Sequence, residues 1–91
     1  MDLEIRLFAN FRDATGARTI DWEAAEGATV EDVLHELTAE YPDLDVFDES
    51  GELREFVSVL YNGRNVVHGD GLETSLHDGD VLSLFPPVAG G

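Results

Sequence analysis

The chain has 91 residues, of which 20 are acidic and 5 are basic, and its formal net charge is −15. This length fits one small domain, and the acidic balance argues against nucleic-acid binding, because phosphate contacts need Lys and Arg. Cysteine is absent, which excludes disulfides, zinc–thiolate sites and a thiol nucleophile.

All five basic residues are arginines, and lysine is missing altogether. An acid-rich, lysine-free chain is typical of adaptation to high internal salt, where charge repulsion is screened. The missing lysine also means that the chain cannot carry lysine-linked copies of itself, which leaves only its N-terminal amine for chain growth. No apolar run is long enough to span a bilayer, and residues 1–4 lack the features of a secretory signal, so we expect a cytoplasmic protein without membrane association.

The first part of the chain predicts two strands joined by a short helical connection. Apolar and polar residues alternate from Leu3 to Leu7, which is the period of a strand with one buried face. Phe8 falls on the opposite face, either exposed or covered by a loop. Residues 10–16 form a turn or short helix that is broken by Gly16, and residues 18–23 form the second strand.

The clearest helix begins after Thr29, which is a good N-cap with Asp32 at the capping-box position. Its end is predicted near Tyr41 and Pro42. One apolar stripe is expected to pack on the sheet, consisting of Val30, Val33, Leu34, Leu37 and Tyr41. The acidic residues 43–55 that follow are interpreted as a solvated loop, because their spacing does not match a calcium loop.

Residues 56–61 are almost wholly apolar and predict a central strand. Asn62-Gly63 is a strong signal for a type I′ hairpin that returns through residues 64–67. A short turn is expected within residues 72–76. Residues 81–85 form the last strand, which can lie centrally beside the first.

No catalytic or metal-binding constellation is evident. His35, His68 and His77 lack ligand spacing and are interpreted as surface residues. The serines have no paired histidine or glycine-rich elbow. We therefore expect no catalytic residues, no metal ligands and no bound cofactor, and chemistry that is done to this chain by a partner.

The most distinctive stretch is the end of the chain, Phe-Pro-Pro-Val-Ala-Gly-Gly. Pro86 and Pro87 end the last strand and direct the tail outward, since proline fixes φ and cannot donate a ladder hydrogen bond. The Val88-Ala89 pair can be gripped in an extended form, whereas Gly90 and Gly91 are slim enough for a channel. The tail then delivers one reactive group, the Gly91 carboxylate. The alternative is a frayed terminus.

This ending, together with Phe-Ala-Asn-Phe-Arg at 8–12 and Val-Ser-Val-Leu-Tyr-Asn-Gly at 57–63, resembles the MoaD/ThiS group of ubiquitin-like sulfur carriers. Among them it most resembles the small archaeal modifier proteins. The resemblance implies an α+β fold of the β-grasp (ubiquitin-like) type, with a mixed sheet of four to five strands packed on one main helix. It divides the chain into a β-grasp domain at 1–87 and a flexible di-glycine tail at 88–91.

The resemblance also implies that an E1-like partner uses ATP and magnesium to adenylate Gly91. A lysine of a target protein can then attack, which makes the chain a modifier. Alternatively, a sulfur donor gives a thiocarboxylate that serves a MoaE-like subunit of molybdopterin synthase. A third interpretation is a passive β-grasp binding module. The tail residues expected to be recognised are Pro86, Pro87, Val88, Ala89 and Gly90.

Partners must also contact the body of the domain. Phe8, Leu60 and Phe85 lie on or near strands in which both alternating faces are apolar. Part of this surface can therefore stay exposed as a docking patch, and the alternative is that the three residues belong to the core.

Overall fold

The computed structural model describes residues 1–87 and shows a five-stranded mixed sheet with one long helix. The elements in chain order are β1 (Asp2–Leu7), α1 (Asn10–Thr15), β2 (Thr19–Glu23), α2 (Val30–Glu40), β3 (Ser58–Tyr61), β4 (Arg64–Asn65) and β5 (Val81–Phe85), with 3-10 helices at Val66–His68 and Gly71–Glu73. The strands lie in the order β2-β1-β5-β3-β4. The last strand is central and parallel to the first, as predicted, and the other neighbouring pairs are antiparallel.

Alternation along β1 places its apolar side chains on the face of the sheet that α2 covers. Leu3, Ile5 and Leu7 are buried there, which confirms the predicted strand. On β5, Leu82 and Leu84 point to the same face and are completely buried. Because β1 and β5 pair through Ile5–Leu82 and Leu7–Leu84, one layer of aliphatic side chains runs across the middle of the sheet.

Helix α2 begins and ends where the sequence predicts. The Thr29 hydroxyl accepts a hydrogen bond from the Asp32 N–H at 3.3 Å, and the Asp32 carboxylate accepts one from the Thr29 N–H at 3.0 Å. This reciprocal capping box satisfies two N–H groups that the helix leaves free. The stripe of Val30, Val33, Leu34 and Leu37 is completely buried, and Tyr41 is partly buried. Within residues 1–87, none of the helices has the length and apolar character needed to cross a membrane.

The short helix α1 ends at Gly16, whose φ of +75° gives the left-handed C-cap that favours glycine. It holds Phe11 in the core. Strand β2 begins at Thr19, one residue after the predicted start.

The Asn62-Gly63 hairpin has positive φ at both residues, +48° and +88°, which confirms a type I′ turn. The turn is tied to β5 by two bonds, since the Asn62 N–H donates to the Val81 carbonyl at 2.8 Å and the Asn62 Oδ1 accepts from the Val81 N–H at 2.8 Å. The Asn62 amide also donates to the Asp80 carboxylate at 3.1 Å.

Two other predicted strand ends are wrong by two residues each. Strand β3 has neighbours on both sides but begins at Ser58, because Phe56 lies in a turn that the Val57 N–H closes on the Arg54 carbonyl at 3.2 Å. Strand β4 ends at Asn65 instead of continuing to residue 67. The Asn65 side chain accepts a hydrogen bond from the Val67 N–H at 3.1 Å, and this local bond starts a 3-10 helix in place of a longer ladder.

The acidic segment 43–55 is a loop, as predicted, and its carboxylates organise it. Asp48 accepts hydrogen bonds from the Ser50 N–H at 2.9 Å, the Ser50 hydroxyl at 2.6 Å and the Glu52 N–H at 3.1 Å. The Ser50 hydroxyl is the main reason that the pKa of Asp48 lies below its usual value. Leu44 and Val46 are buried and fix the loop to the core.

Candidate docking surface and tail

The sheet has one face covered by α2 and one face without a covering helix, which we call the open face. Positions that alternate with the core residues bring to it Glu4 and Arg6 of β1, Val81 and the buried Ser83 of β5, and Leu60 of β3. Arg6 donates to the Glu4 carboxylate on this face. The open face is therefore mixed in character, with charged groups towards β2 and apolar groups towards β3.

Phe8, Leu60 and Phe85 lie on the open face and form what we call the open-face patch. The rings of Phe8 and Phe85 are stacked with centroids 4.1 Å apart and an interplanar angle of 11°. Leu60 is in register with Ser83, two positions before Phe85 on β5, so it occupies the neighbouring row. All three are half-buried, and none belongs to the buried core cluster. The structure thus brings together the three residues proposed for docking, outside the core.

Arg12 lies against the open-face patch, and the sequence analysis did not single it out. Its guanidinium carbon lies 5.4 Å from the centroid of the Phe8 ring, which is the distance of a cation–π contact. The Arg12 Nε donates to the Leu7 carbonyl at 2.9 Å, so the side chain is held in place. The signal available was its position in the Phe-Ala-Asn-Phe-Arg segment.

The sheet leads directly from the open-face patch into the tail. Phe85 ends β5, Pro86 is buried, and Pro87 is exposed. Pro86 therefore anchors the exit of the chain, whereas Pro87 is the proline that a partner can contact. Val88, Ala89, Gly90 and Gly91 lie outside the described residues, so their recognition and the reactivity of Gly91 stay predictions.

At the opposite end of β5, Asp80 links the hairpin to the strand. Burial acts to raise the pKa of Asp80, but hydrogen bonds from Asn62, the His77 N–H and Tyr61 outweigh it, so its pKa is lowered. The His77 N–H donates at 2.7 Å. The pKa of Tyr61 is raised, first by hydrogen bonding to the Asp80 carboxylate and then by burial. This network fixes the strand from which the tail leaves.

The three histidines are exposed, as expected for surface residues. His35 stacks on Phe47 with ring centroids 4.2 Å apart, and its Nε2 lies 3.5 Å from Oε1 of Glu31. Within residues 1–87 no group of three or more His, Cys, Asp or Glu side chains is arranged to hold a metal ion. Within the described residues, the candidate functional features are therefore the open-face patch and the tail exit.

The chain is similar to known proteins in sequence and in structure. The profile described as the ThiS family matches residues 5–91. The chain is 53% identical to small archaeal modifier protein 3 of Haloferax volcanii, with all of both chains covered. It is 37% identical to a putative sulfur carrier protein of Archaeoglobus fulgidus, again over all of both chains. The crystal structure of SAMP1 from Haloferax volcanii, 38% identical, superposes with a TM-score of 0.88 and covers all of both chains.

These relatives confirm the predicted β-grasp fold and the resemblance to modifiers and sulfur carriers. They are modifier or carrier proteins, in agreement with a chain that is not itself an enzyme. The Haloferax relatives also agree with the halophilic composition. The chain therefore belongs to the ThiS family of ubiquitin-like proteins, and within it resembles the small archaeal modifier proteins.

Proposed function

We propose that this chain is a ubiquitin-like protein modifier whose Gly91 carboxylate is adenylated by an E1-like enzyme and then joined to lysines of target proteins. The observation that carries the proposal is the 53% identity, over the full length of both chains, to a small archaeal modifier protein. The di-glycine ending and the exposed Pro87, two residues after the central strand β5, support it.

The proposed chemistry needs only the terminal carboxylate from this chain. Gly91 attacks the α-phosphate of ATP on the partner, magnesium neutralises the phosphate charge, and pyrophosphate leaves. The resulting acyl-adenylate has AMP as its leaving group. A lysine ε-amine of the target then attacks the Gly91 carbonyl, AMP leaves, and the amine loses a proton as the isopeptide bond forms.

The open-face patch is the proposed docking site for the E1-like enzyme. Phe8 and Phe85 present stacked, half-buried rings beside the tail exit, and Arg12 adds a positive charge above one ring. Burial of aromatic rings with an adjacent arginine is a common composition for interface anchors. Such docking fixes the direction in which Pro87 and the glycines enter the partner. We propose Val88, Ala89 and Gly90 as the remaining residues that the partner contacts, and the buried Pro86 as the residue that directs them.

The absence of lysine defines the product further. With no lysine in its sequence, the chain can be a donor in isopeptide formation but offers no lysine as an acceptor. We therefore propose that it is attached to targets as single copies and not as lysine-linked chains.

Sulfur carriage is the second candidate function, and the 37% identity to a putative sulfur carrier favours it. Sulfide from a sulfur donor then attacks the Gly91 carbonyl, AMP leaves, and the resulting thiocarboxylate can be used by a MoaE-like subunit in making molybdopterin. Adenylation is common to both functions, so only the product distinguishes them. Residence in the cytoplasm, where ATP is available, is consistent with both.

The proposal is tested by ATP–pyrophosphate exchange with the E1-like enzyme of the native host. We expect exchange with the full chain, and loss of exchange when Gly91 is deleted. A matched control is Val67→Ser, which changes an exposed apolar residue on the 3-10 helix after β4. Absence of exchange with the full chain would overturn the proposal and favour a passive binding module.

A further inference from the structure

Phe56 combines two features that are unfavourable for an isolated domain. It is 73% exposed, and within residues 1–87 the only other large apolar side chain that is exposed is Val67, at 66%. Its φ is +69°, in the left-handed region that aromatic residues rarely adopt. Both features call for an explanation beyond the packing of the core.

The turn that holds Phe56 does not need an aromatic ring. The Val57 N–H closes the turn on the Arg54 carbonyl at 3.2 Å, which places Phe56 at its third position. Positive φ at that position is normally met by Gly or Asn, because these residues adopt it with little strain. A strained residue that the fold does not require is typical of functional sites.

Phe56 lies at the end of the sheet from which the tail departs. Ser58, the first residue of β3, pairs with Phe85, the last residue of β5, in an antiparallel register. Phe56 comes two residues before Ser58, and the exposed Pro87 comes two residues after Phe85. The chain therefore enters β3 and leaves β5 at one end, so a partner that grips the tail meets Phe56 as well.

The charges around this turn indicate what kind of surface can cover the ring. Glu52 and Glu55 are exposed on the same segment, while the charge of Arg54 is engaged by Asp45 at 2.8 Å. The turn thus presents an apolar ring on a segment with an excess of negative charge. A second copy of the chain is a poor occupant, because it too carries a net charge of −15.

We propose that Phe56 is a second apolar anchor for the E1-like enzyme, seated in an apolar socket that basic residues surround at the entrance for the tail. This proposal rests on the proposed function. With the open-face patch as the first anchor, two contacts flank the start of the tail. They restrict its direction more than either contact alone, so the terminal carboxylate reaches the ATP site in one register.

The test is equilibrium binding of the full chain to the host's E1-like enzyme, measured together with ATP–pyrophosphate exchange. Phe56→Gly removes the ring and the backbone strain at once. We expect its Kd to rise roughly tenfold, as for a buried aromatic anchor, with Tm unchanged or higher. Phe56→Tyr keeps the ring and should bind like the wild type, and Val67→Ser is the control for loss of an exposed apolar side chain.

The outcomes separate this inference from the proposed function. Wild-type binding with Gly91-dependent exchange, but an unchanged Kd for Phe56→Gly, overturns the inference and leaves the function in place. Binding without exchange contradicts the function while the Kd still reports on Phe56. A wild type that does not bind the enzyme overturns both. A dimer that Phe56→Gly converts to a monomer, with an unchanged Kd for the enzyme, assigns the ring to self-association and also overturns the inference.

Discussion

The two faces of the sheet use the same strands for different purposes. On the face under α2, Leu82 and Leu84 of β5 are completely buried. On the open face, Phe85 is half-buried and is stacked on Phe8. Adjacent residues of one strand thus serve the core and the proposed interface.

From this difference we expect stability and the proposed recognition to be separable in this domain. A core side chain stabilises the fold because folding removes its apolar surface from water. A half-buried ring still has apolar surface exposed after folding, and binding of a partner can bury it. Substitutions on the two faces should therefore move different measurements.

Leu84→Ala should be the most damaging single change among those considered. Deleting a fully buried leucine costs about 3 kcal/mol in free energy of unfolding, since a cavity is left in the packed layer. Denaturant unfolding measures it. Phe85→Ala, one residue along β5, is the matched comparison and should cost about 1 kcal/mol. Equal losses would contradict the distinction between the two faces.

A substitution of Asp80 tests the hydrogen bonds that hold the start of β5. Its pKa is lowered in the folded state, so its contribution to stability is present above the ordinary pKa of about 3.9 and is lost as pH falls through the lower, folded value. Asp80→Ala should cost about 2 kcal/mol near neutral pH, because Asn62 and the His77 N–H lose their acceptor. The difference between wild type and variant should shrink in acid, as chemical unfolding at several pH values can show. A constant difference would assign the loss to packing.

Phe8→Ala should separate binding from stability on the open face. Loss of the stacked, half-buried ring should weaken binding to the E1-like enzyme roughly tenfold, about 1.4 kcal/mol, while the free energy of unfolding falls by less. Titration of the enzyme and a thermal melt of the same sample make the comparison. A larger loss in stability than in binding would place Phe8 in the core.

Salt should affect the charged surface and leave the core unchanged. Repulsion in a chain of net charge −15 is screened at molar salt, where the Debye length is about 3 Å. We expect Tm to rise by about 4 °C or more between dilute buffer and 1 M KCl, which corresponds to ~1 kcal/mol for a domain of this size. An unchanged or lower Tm would count against the halophilic interpretation.

The elements with strong local patterns could be predicted from the sequence. Alternation fixed the buried face of β1, and the capping box with its apolar stripe fixed the start and buried side of α2. Asn62-Gly63 determined the hairpin turn, because both residues tolerate positive φ. In each case the residues that decide the structure are neighbours in the chain.

The features that the sequence did not reveal depend on a local hydrogen bond or on a residue distant in the chain. The Asn65 side chain diverts residues 66–67 into a 3-10 helix, and a hydrophobicity pattern does not reveal that bond. The strained φ of Phe56 has no local sequence signal either. Phe8 and Phe85 lie near opposite ends of the sequence, and their stacking depends on the parallel register of β1 and β5. The contact of Arg12 with the Phe8 ring has no signal in the sequence pattern either.

The most direct test of the central claim is mass spectrometry of this protein and its conjugates, isolated from native cells and digested with a protease. The modifier function predicts branched peptides in which the Gly91 carbonyl is bonded to lysine ε-amines of other proteins. A Gly91 thiocarboxylate without any branched peptide would contradict the modifier function and select sulfur carriage. A Gly91 carboxylate that is unmodified in every sample would contradict the claim that the chain acts through this group.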